Sequence, residues 1–288
     1  MTARTNLVGA HISVAGGLPR CLPRAQDVGA EVVQIFVANS RAWAAPAHDP
    51  DIDRLFGSAC TDNGMPVFVH APYLINFGSP SAETLTRSAE ALAFSLRRGA
   101  AISARGVVMH AGSAVLGNDR NRAMSQVREQ LSRVLDAVPD PPPLLIEPTA
   151  GGGGALASDA ESLGAYLDGL GRDERIGVCL DTCHLHAAGH DLSTAARFSA
   201  AIRAYAVAAG TSRIGLVHVN DSRDPVGSKR DRHASIGEGT IGLAPFTALF
   251  RTPSLQGVPF VIETTDAAQA ADIARLKLLR DSPASASP

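Results

Sequence analysis

The chain has 288 residues, of which 19% are charged, and a formal net charge of -2. Its length suits one closed α/β barrel, and its near-neutral charge argues against coating nucleic acid by bulk electrostatics, although a local basic patch is compatible with it. No apolar run could span a bilayer, and the N-terminus lacks the apolar core of a secretory signal. The four cysteines form no C-x-x-C pair, so we expect reduced cysteines in a cytoplasmic protein without a membrane partner.

Short apolar runs alternate with longer segments of helical periodicity along the whole chain. The runs are rich in β-branched residues and several are flanked by glycine or proline, as buried parallel strands are. They cover residues 7–9, 32–37, 67–69, 107–109, 144–146, 177–180, 214–217 and 259–262. Predicted helices include residues 82–98, 122–137, 160–170, 195–209 and 268–279. This alternation predicts one (β/α)8 TIM barrel over residues 1–280 and a disordered tail over 281–288, with an open doubly wound sheet as the alternative.

Six of the predicted strands are followed directly by a histidine or an acidic residue. In chain order these residues are His70, His110, Glu147, Asp181, His218 and Glu263. One such residue alone is usually a loop residue or a helix cap, but the C-terminal strand ends of a barrel share one face, so six predict a cluster. Close carboxylates are costly to ionise without cations, and none of these positions supplies lysine or arginine. The pattern therefore predicts divalent metal ions, and mixed histidine and carboxylate ligands suit zinc or manganese.

Two further segments extend the predicted cluster. His184 follows Asp181 by three residues, and Asp231 and His233 form a D-x-H pair on a loop between the last two strands. The members of that pair point the same way if the backbone is extended. Nine candidate ligands are too many for one ion and imply two or three metals. Clustered metals favour hydrolysis of phosphate esters.

A glycine-rich segment at residues 237–242, with the sequence G-E-G-T-I-G, matches the dinucleotide-binding pattern by letter. It follows polar residues rather than a strand, which argues against that function. The glycines at 151–154 lack the lysine and serine or threonine of a phosphate-binding loop. We therefore expect no nucleotide cofactor.

Eight segments together resemble the endonuclease IV family of abasic-site DNA repair nucleases. They extend from Gly9 to about Thr264, nearly the whole chain. Their sequences are GAHISVAGGL, PYLINFGSP, HAGS, IEPTAGGG, GVCLDTCHLHAAGHDL, HVNDS, DRHASIGEGTIG and FVIET. The order and spacing of the DTCH, DRH and GEG segments make the resemblance specific.

The resemblance implies hydrolysis of the phosphodiester bond 5′ of abasic sites in duplex DNA by a trinuclear zinc centre, with manganese as an alternative occupant of some sites. The products would be a 3′-hydroxyl and a 5′-deoxyribose phosphate. The implied ligand sets are His70, His110 and Glu147; Glu147, Asp181, His218 and Glu263; and His184, Asp231 and His233. Two carboxylates would be catalytic, because Glu147 bridges two ions and Glu263 orients or deprotonates the attacking water.

The resemblance also implies contacts to the damaged DNA. Arg41, Tyr73 and Leu74 occupy positions at which the family inserts side chains beside the lesion. Arg232, in a basic stretch over residues 229–232, is a candidate phosphate contact. The alternatives are a packing role for Tyr73 and a solvated loop for the basic stretch. We expect a monomer, because the barrel mouth must admit bent duplex DNA.

The chain departs from the family pattern at five positions. Pro148 replaces an asparagine after the bridging glutamate, and Ala111 replaces a proline. Where the family has K-N-Q-R-Q-W, residues 38–43 are A-N-S-R-A-W, so Ala38, Ser40 and Ala42 replace polar residues. None of these changes removes a ligand, so we expect them to affect rate and substrate range rather than reaction type.

Two other classes of function fit parts of the pattern. A metal-dependent sugar isomerase or epimerase on the same barrel would need fewer metals and would have no use for His184 and the D-x-H pair. A non-catalytic metal-binding protein would hold metal without turning over sugar or DNA. Fold alone does not separate these classes, so the site must.

Overall fold

Eight parallel strands close into a barrel in the computed structural model, which describes residues 5–115, 118–210 and 212–282. The barrel strands are β1 (Val8–His11), β2 (Val33–Phe36), β3 (Val67–His70), β4 (Val107–His110), β5 (Leu144–Glu147), β6 (Ile176–Asp181), β7 (Ile214–His218) and β10 (Phe260–Ile262). Two short strands outside the barrel, β8 (Asp221–Ser222) and β9 (His233–Ala234), form an antiparallel hairpin. The order around the barrel is β1-β10-β7-β6-β5-β4-β3-β2, which confirms the predicted barrel and excludes the open sheet.

Helices cover the outside of the barrel. Among the described residues they are α1 (Cys21–Asp27), α2 (Pro50–Asp62), α3 (Ala82–Ala101), α4 (Arg120–Ala137), α5 (Ala160–Gly169), α6 (Thr182–Ala188), α7 (Ala195–Ala209), α8 (Thr247–Arg251) and α9 (Asp266–Asp281). In the part of the chain that the structure describes, none of them is long and apolar enough to cross a bilayer. Helix α9 ends at Asp281, and residues 283–288 of the expected tail lie outside the described residues.

The barrel interior is packed by large apolar side chains from alternating strand positions. Leu145 on β5 is one of them, and three glycines approach its side chain, one directly before β4 and the others on β6 and β7. A Cβ atom added at Gly106, Gly177 or Gly215 would lie 2.9, 2.8 or 2.9 Å from the Leu145 side chain. Glycine at these positions therefore gives one leucine the space to fill the barrel below its mouth.

Ion pairs and hydrogen bonds of Glu31 connect the last helix, α9, to the first strand, β1. Glu31 accepts hydrogen bonds from Arg280 on α9, at 2.7 Å, and from the backbone N–H of Val8 on β1, at 2.9 Å. Lys277, also on α9, lies 3.1 Å from the same carboxylate. These contacts join the two ends of the chain beside the seam where β1 pairs with β10.

Candidate metal centre

The structure brings the strand-end residues to one place at the barrel mouth. Five of them are the last residues of their strands, and the sixth, Glu263, directly follows β10. The five are His70 on β3, His110 on β4, Glu147 on β5, Asp181 on β6 and His218 on β7. Because the strands are parallel and hydrogen-bonded in sequence around the barrel, these side chains converge from different directions.

Glu147 lies at the centre of the cluster and is 1% exposed. Its Oε2 lies 3.2 Å from Nε2 of His70 and 3.3 Å from Nε2 of His110. Its Oε1 lies 3.0 Å from Nδ1 of His218 on the opposite side. The two oxygens of one carboxylate thus face two separate groups of imidazoles.

A second group surrounds His218. Its Nδ1 lies 3.4 Å from Oε2 of Glu263 and 3.9 Å from Oδ2 of Asp181. One ligand atom from each of these three residues lies within 4.8 Å of the others. Distances of this size leave room for one cation between the ligands.

A third group combines α6 with the β8–β9 hairpin. Nε2 of His184 lies 3.2 Å from Oδ2 of Asp231, and Nε2 of His233 lies 2.9 Å from Oδ1 of the same carboxylate. Asp181 caps α6 by accepting the backbone N–H of His184 at 2.9 Å, which positions that histidine one turn beyond the strand. The nine residues selected from the sequence therefore lie in three adjoining groups.

The hydrogen bonds around the histidines fit metal binding. Nδ1 of His70 donates to the carbonyl of Ala71 at 2.7 Å, and Nδ1 of His184 donates to the carbonyl of Pro148 at 3.0 Å. Since a carbonyl only accepts, Nε2 of each neutral ring keeps a lone pair directed into the cluster. Nε2 of His233 is likewise directed into the cluster, toward Oδ1 of Asp231 and Oδ2 of Asp181. Imidazole lone pairs and carboxylates around buried space form a donor set suited to divalent metals.

Opposite charges determine the electrostatics of the centre. Burial alone would raise the pKa of Glu147, but the charges of His218 and His110 hold it well below its usual range. Burial would lower the pKa of His184, yet Asp181 and Asp231 raise it well above its ordinary value. Without metal, His184 therefore retains a proton that balances the neighbouring carboxylates, and a metal ion at this position must displace it.

Two residues that hold the proposed ligands were missed in the sequence analysis. Gln34 is fully buried on β2 and contacts Glu263 and His218. Asn220 donates to Oδ2 of Asp181 at 2.7 Å and accepts the backbone N–H of Glu263 at 2.8 Å. The available signals were a single polar residue within the apolar run 32–37 and an asparagine two residues beyond His218.

The glycine-rich segment at 237–242 wraps around a protein carboxylate. Asp221, which is fully buried, accepts backbone N–H groups from Gly237, Gly239 and Gly242 at 3.1, 3.0 and 3.2 Å and from Ile241 at 3.0 Å. A Cβ atom at Gly239 would lie 2.5 Å from Oδ1 of Asp221, so only glycine fits there. Asp221 also pairs with Ala234 in the hairpin that carries His233, and the wrapped loop therefore supports the third group.

The residues expected to contact DNA lie around this mouth. The ring of Tyr73, 42% exposed, stacks on His110 with ring centroids 5.5 Å apart, and its backbone N–H donates to Ser40 at 3.0 Å. Arg41 is exposed and Leu74 is half-buried. An open cleft of about 460 Å³ separates Tyr73 from Glu263.

Arg232 is exposed but not free. Its Nε donates to Asp224 at 2.6 Å, and a second guanidinium nitrogen contacts the other oxygen of the same carboxylate. The side chain of Arg232 is 54% exposed, so an outer edge of the guanidinium remains accessible. A phosphate would therefore either bind Arg232 together with Asp224 or displace Asp224 from it.

Two of the five departures from the family pattern contact the centre through their backbone. The carbonyl of Pro148 accepts the hydrogen bond that orients His184. The backbone N–H of Ala111 donates to the carbonyl of Glu147 at 2.9 Å, a contact that a proline could not make. Both positions thus support ligands without using a side chain.

Comparisons with known proteins agree with this geometry. Residues 22–282 match the family described as xylose isomerase-like TIM barrel. The probable endonuclease 4 of Streptomyces coelicolor is 49% identical over 281 residues, which cover 96% of each chain. The crystal structure of endonuclease IV from Thermus thermophilus is 31% identical, with a TM-score of 0.81, and covers 95% of this chain and 98% of that one. An L-ribulose 3-epimerase, 20% identical with a TM-score of 0.67, covers 97% and 95% and shares the fold alone.

Proposed function

Because the chain belongs to the endonuclease IV family, we propose that it is a DNA repair endonuclease that cuts duplex DNA at abasic sites. It would hydrolyse the phosphodiester bond 5′ of the lesion and leave a 3′-hydroxyl and a 5′-deoxyribose phosphate. The observation that carries this proposal is the third group of ligands, His184, Asp231 and His233, beside the two groups that share the barrel mouth. A sugar isomerase on this barrel would not need it.

We propose zinc as the metal, with manganese as an alternative at some sites. The residues that would hold three ions are His70, His110 and Glu147; Glu147, Asp181, His218 and Glu263; and His184, Asp231 and His233. When bound, the ions would activate water and neutralise charge on the attacking and leaving oxygens of the phosphate.

Two carboxylates of the protein, Glu147 and Glu263, would have separate roles in the reaction. Glu147 is buried and would hold the imidazole groups on its two sides in a fixed relation. The side chain of Glu263 is 13% exposed and lines the open cleft, so its carboxylate can orient an attacking water and accept its proton.

DNA recognition would come from the loops beside the cleft. The exposed ring of Tyr73, already supported by His110, offers a flat apolar surface to a sugar or base displaced from the helix. Arg41 and Leu74 lie on the loops that the backbone contact between Tyr73 and Ser40 joins. Arg232 would reach a phosphate at the rim, and the enzyme would act as a monomer because the cleft must remain open to a duplex.

The test is incubation of the purified protein with a duplex oligonucleotide that carries one tetrahydrofuran abasic analogue. This analogue lacks the sugar aldehyde, so β-elimination cannot cut it and only hydrolysis can. We expect a nick 5′ of the analogue with a 3′-hydroxyl that a polymerase extends. Absence of a nick, from protein shown to contain its metals, would refute the proposal and favour a sugar isomerase.

A further inference from the structure

The side-chain amide of Gln34 lies between two residues that would hold the second ion, and the inference drawn from it rests on the proposed function. Gln34 is the polar residue of β2, in the segment V-Q-I-F, and it is fully buried. A buried amide without hydrogen bonds would destabilise the folded protein. The partners of this amide therefore explain its place among apolar residues.

All three partners of the amide belong to the barrel mouth. Nε2 of Gln34 lies 2.8 Å from Oε1 of Glu263 and 3.0 Å from Nδ1 of His11. Oε1 of Gln34 lies 2.9 Å from Nε2 of His218. Because the carboxylate of Glu263 only accepts hydrogen bonds, the NH₂ group must face it, since the flipped amide would place two oxygens against each other.

The orientation of the amide determines the tautomer of His218. Gln34 presents a carbonyl oxygen to Nε2 of His218, so that nitrogen must carry a proton. Nδ1 of the neutral ring then keeps its lone pair, which faces Glu147 at 3.0 Å and Glu263 at 3.4 Å. The hydrogen bonds of Gln34 to Glu263 and to His218 therefore both depend on the same orientation of the amide.

We propose that Gln34 is a positioning residue of the metal centre. Its amide orients Glu263 and His218 together, so that Oε2 of the first and Nδ1 of the second face each other across the second ligand group. His70 and His184 are oriented by backbone carbonyls, whereas the structure shows a side-chain partner at Nε2 of His218. Loss of the amide should weaken the binding of one of the three ions and leave the binding of the other two unchanged.

A matched control is available in Gln269 on α9. This glutamine is 3% exposed, and its Nε2 donates to the backbone carbonyl of His11 at 2.9 Å, beside the same cleft. Gln34→Met and Gln269→Met both remove a buried amide at similar side-chain length. Only the first variant removes a contact to a proposed ligand.

The experiment measures Zn²⁺ affinity of the full chain by competition with a chromophoric chelator. We expect Gln34→Met to lower the affinity for one zinc ion per chain by about 10- to 100-fold, the range found when a ligand loses its supporting partner. Gln269→Met should leave all affinities unchanged. Wild-type affinity in Gln34→Met, or equal weakening in both variants, would overturn the role of Gln34.

A measurement on the unmutated protein keeps the test independent of folding of the variants. Nitrogen-15 NMR of the zinc-loaded wild type should show His218 protonated at Nε2, and a proton on Nδ1 would overturn the proposal. A wild type that binds no zinc would refute the proposed function and this inference together. A wild type that binds zinc and nicks DNA, with Gln34→Met unchanged, would refute only the role of Gln34.

Discussion

At the scale of single residues, Glu147 determines whether the first two ligand groups can exist side by side. One oxygen faces His70 and His110 and the other faces His218, and the side chain is buried, so water cannot replace it. Removing the carboxylate would leave imidazoles on both sides without their shared counter-charge. Breaking a buried charge cluster on one side is costly because the remaining charges stay unpaired.

We therefore expect Glu147→Ala to release two ions per chain and to lower the nicking rate by at least about a thousandfold, which corresponds to about 4 kcal/mol of transition-state stabilisation. Metal content by elemental analysis and single-turnover nicking are the measurements. Glu161→Ala, at an exposed position on α5, is the control and should behave as wild type. Normal activity and normal metal content in Glu147→Ala would exclude the bridging role.

Substitution of Tyr73 should affect DNA recognition without affecting metal binding. Its ring rests on His110 but makes no metal ligand, and 42% of the residue is exposed. We expect Tyr73→Ala to weaken binding of lesion-containing duplex by about tenfold, since stacking contributes about 1–3 kcal/mol per base, and to leave metal content unchanged. Tyr73→Phe, which keeps the ring, should bind almost normally. Loss of metal in Tyr73→Ala would show that the residue supports the centre instead.

At the scale of elements, the carboxylate of Glu31 contributes to the attachment of α9. Burial acts to raise the pKa of Glu31, but hydrogen bonds from Arg280, the backbone of Val8 and Lys277 hold it below its ordinary value. A carboxyl whose pKa is lowered in the folded state stabilises the protein above the pKa of the unfolded chain. That stabilisation disappears as the pH falls through the folded-state pKa.

We expect Glu31→Gln to lower the free energy of unfolding by about 1 kcal/mol at pH 7, since the carboxylate is partly exposed and water screens it. The difference from wild type should shrink progressively below the ordinary pKa of 4.5, because the wild-type carboxyl then becomes protonated too. Urea unfolding between pH 7 and pH 3 provides the measurement, with Glu161→Gln as the exposed control. A difference that stays constant over this range would contradict the ionic explanation.

At the scale of the whole molecule, metal binding and folding should be linked. The described part of the chain gathers four carboxylates and five imidazoles at one barrel mouth, a donor set that bound cations would hold together. An ion present at a hundred times its dissociation constant adds about 2.7 kcal/mol to stability if the unfolded chain does not bind it.

We expect a strong chelator to lower the Tm of the wild type by at least about 5 °C and to abolish nicking, and added zinc to restore both. Calorimetry of the chelated, untreated and reloaded protein measures the effect. Magnesium in place of zinc is the control, because it binds imidazole poorly and should restore neither property. A Tm that is the same in all three states would show that no ion stabilises the fold.

The barrel and the identity of the clustered residues could be predicted because they follow from local patterns. Six of the eight apolar runs are followed directly by one of these residues, and parallel strands bring their C-terminal ends to one face whatever the loops do. Gln34 could not be found this way, since Glu263 and His218 lie 229 and 184 positions away in sequence. The pairing of Arg232 with Asp224 depends on the path of a loop, which residue types alone do not determine.

The use of the Pro148 carbonyl to orient His184 has a consequence for how this protein can change. Every amino acid supplies a backbone carbonyl, so substitutions at position 148 that fit the buried space leave the hydrogen bond intact. The same freedom applies to Ala71 beside His70. Random substitution should therefore be tolerated next to these two ligands more often than at position 34, and the chain can diverge there while its chemistry persists.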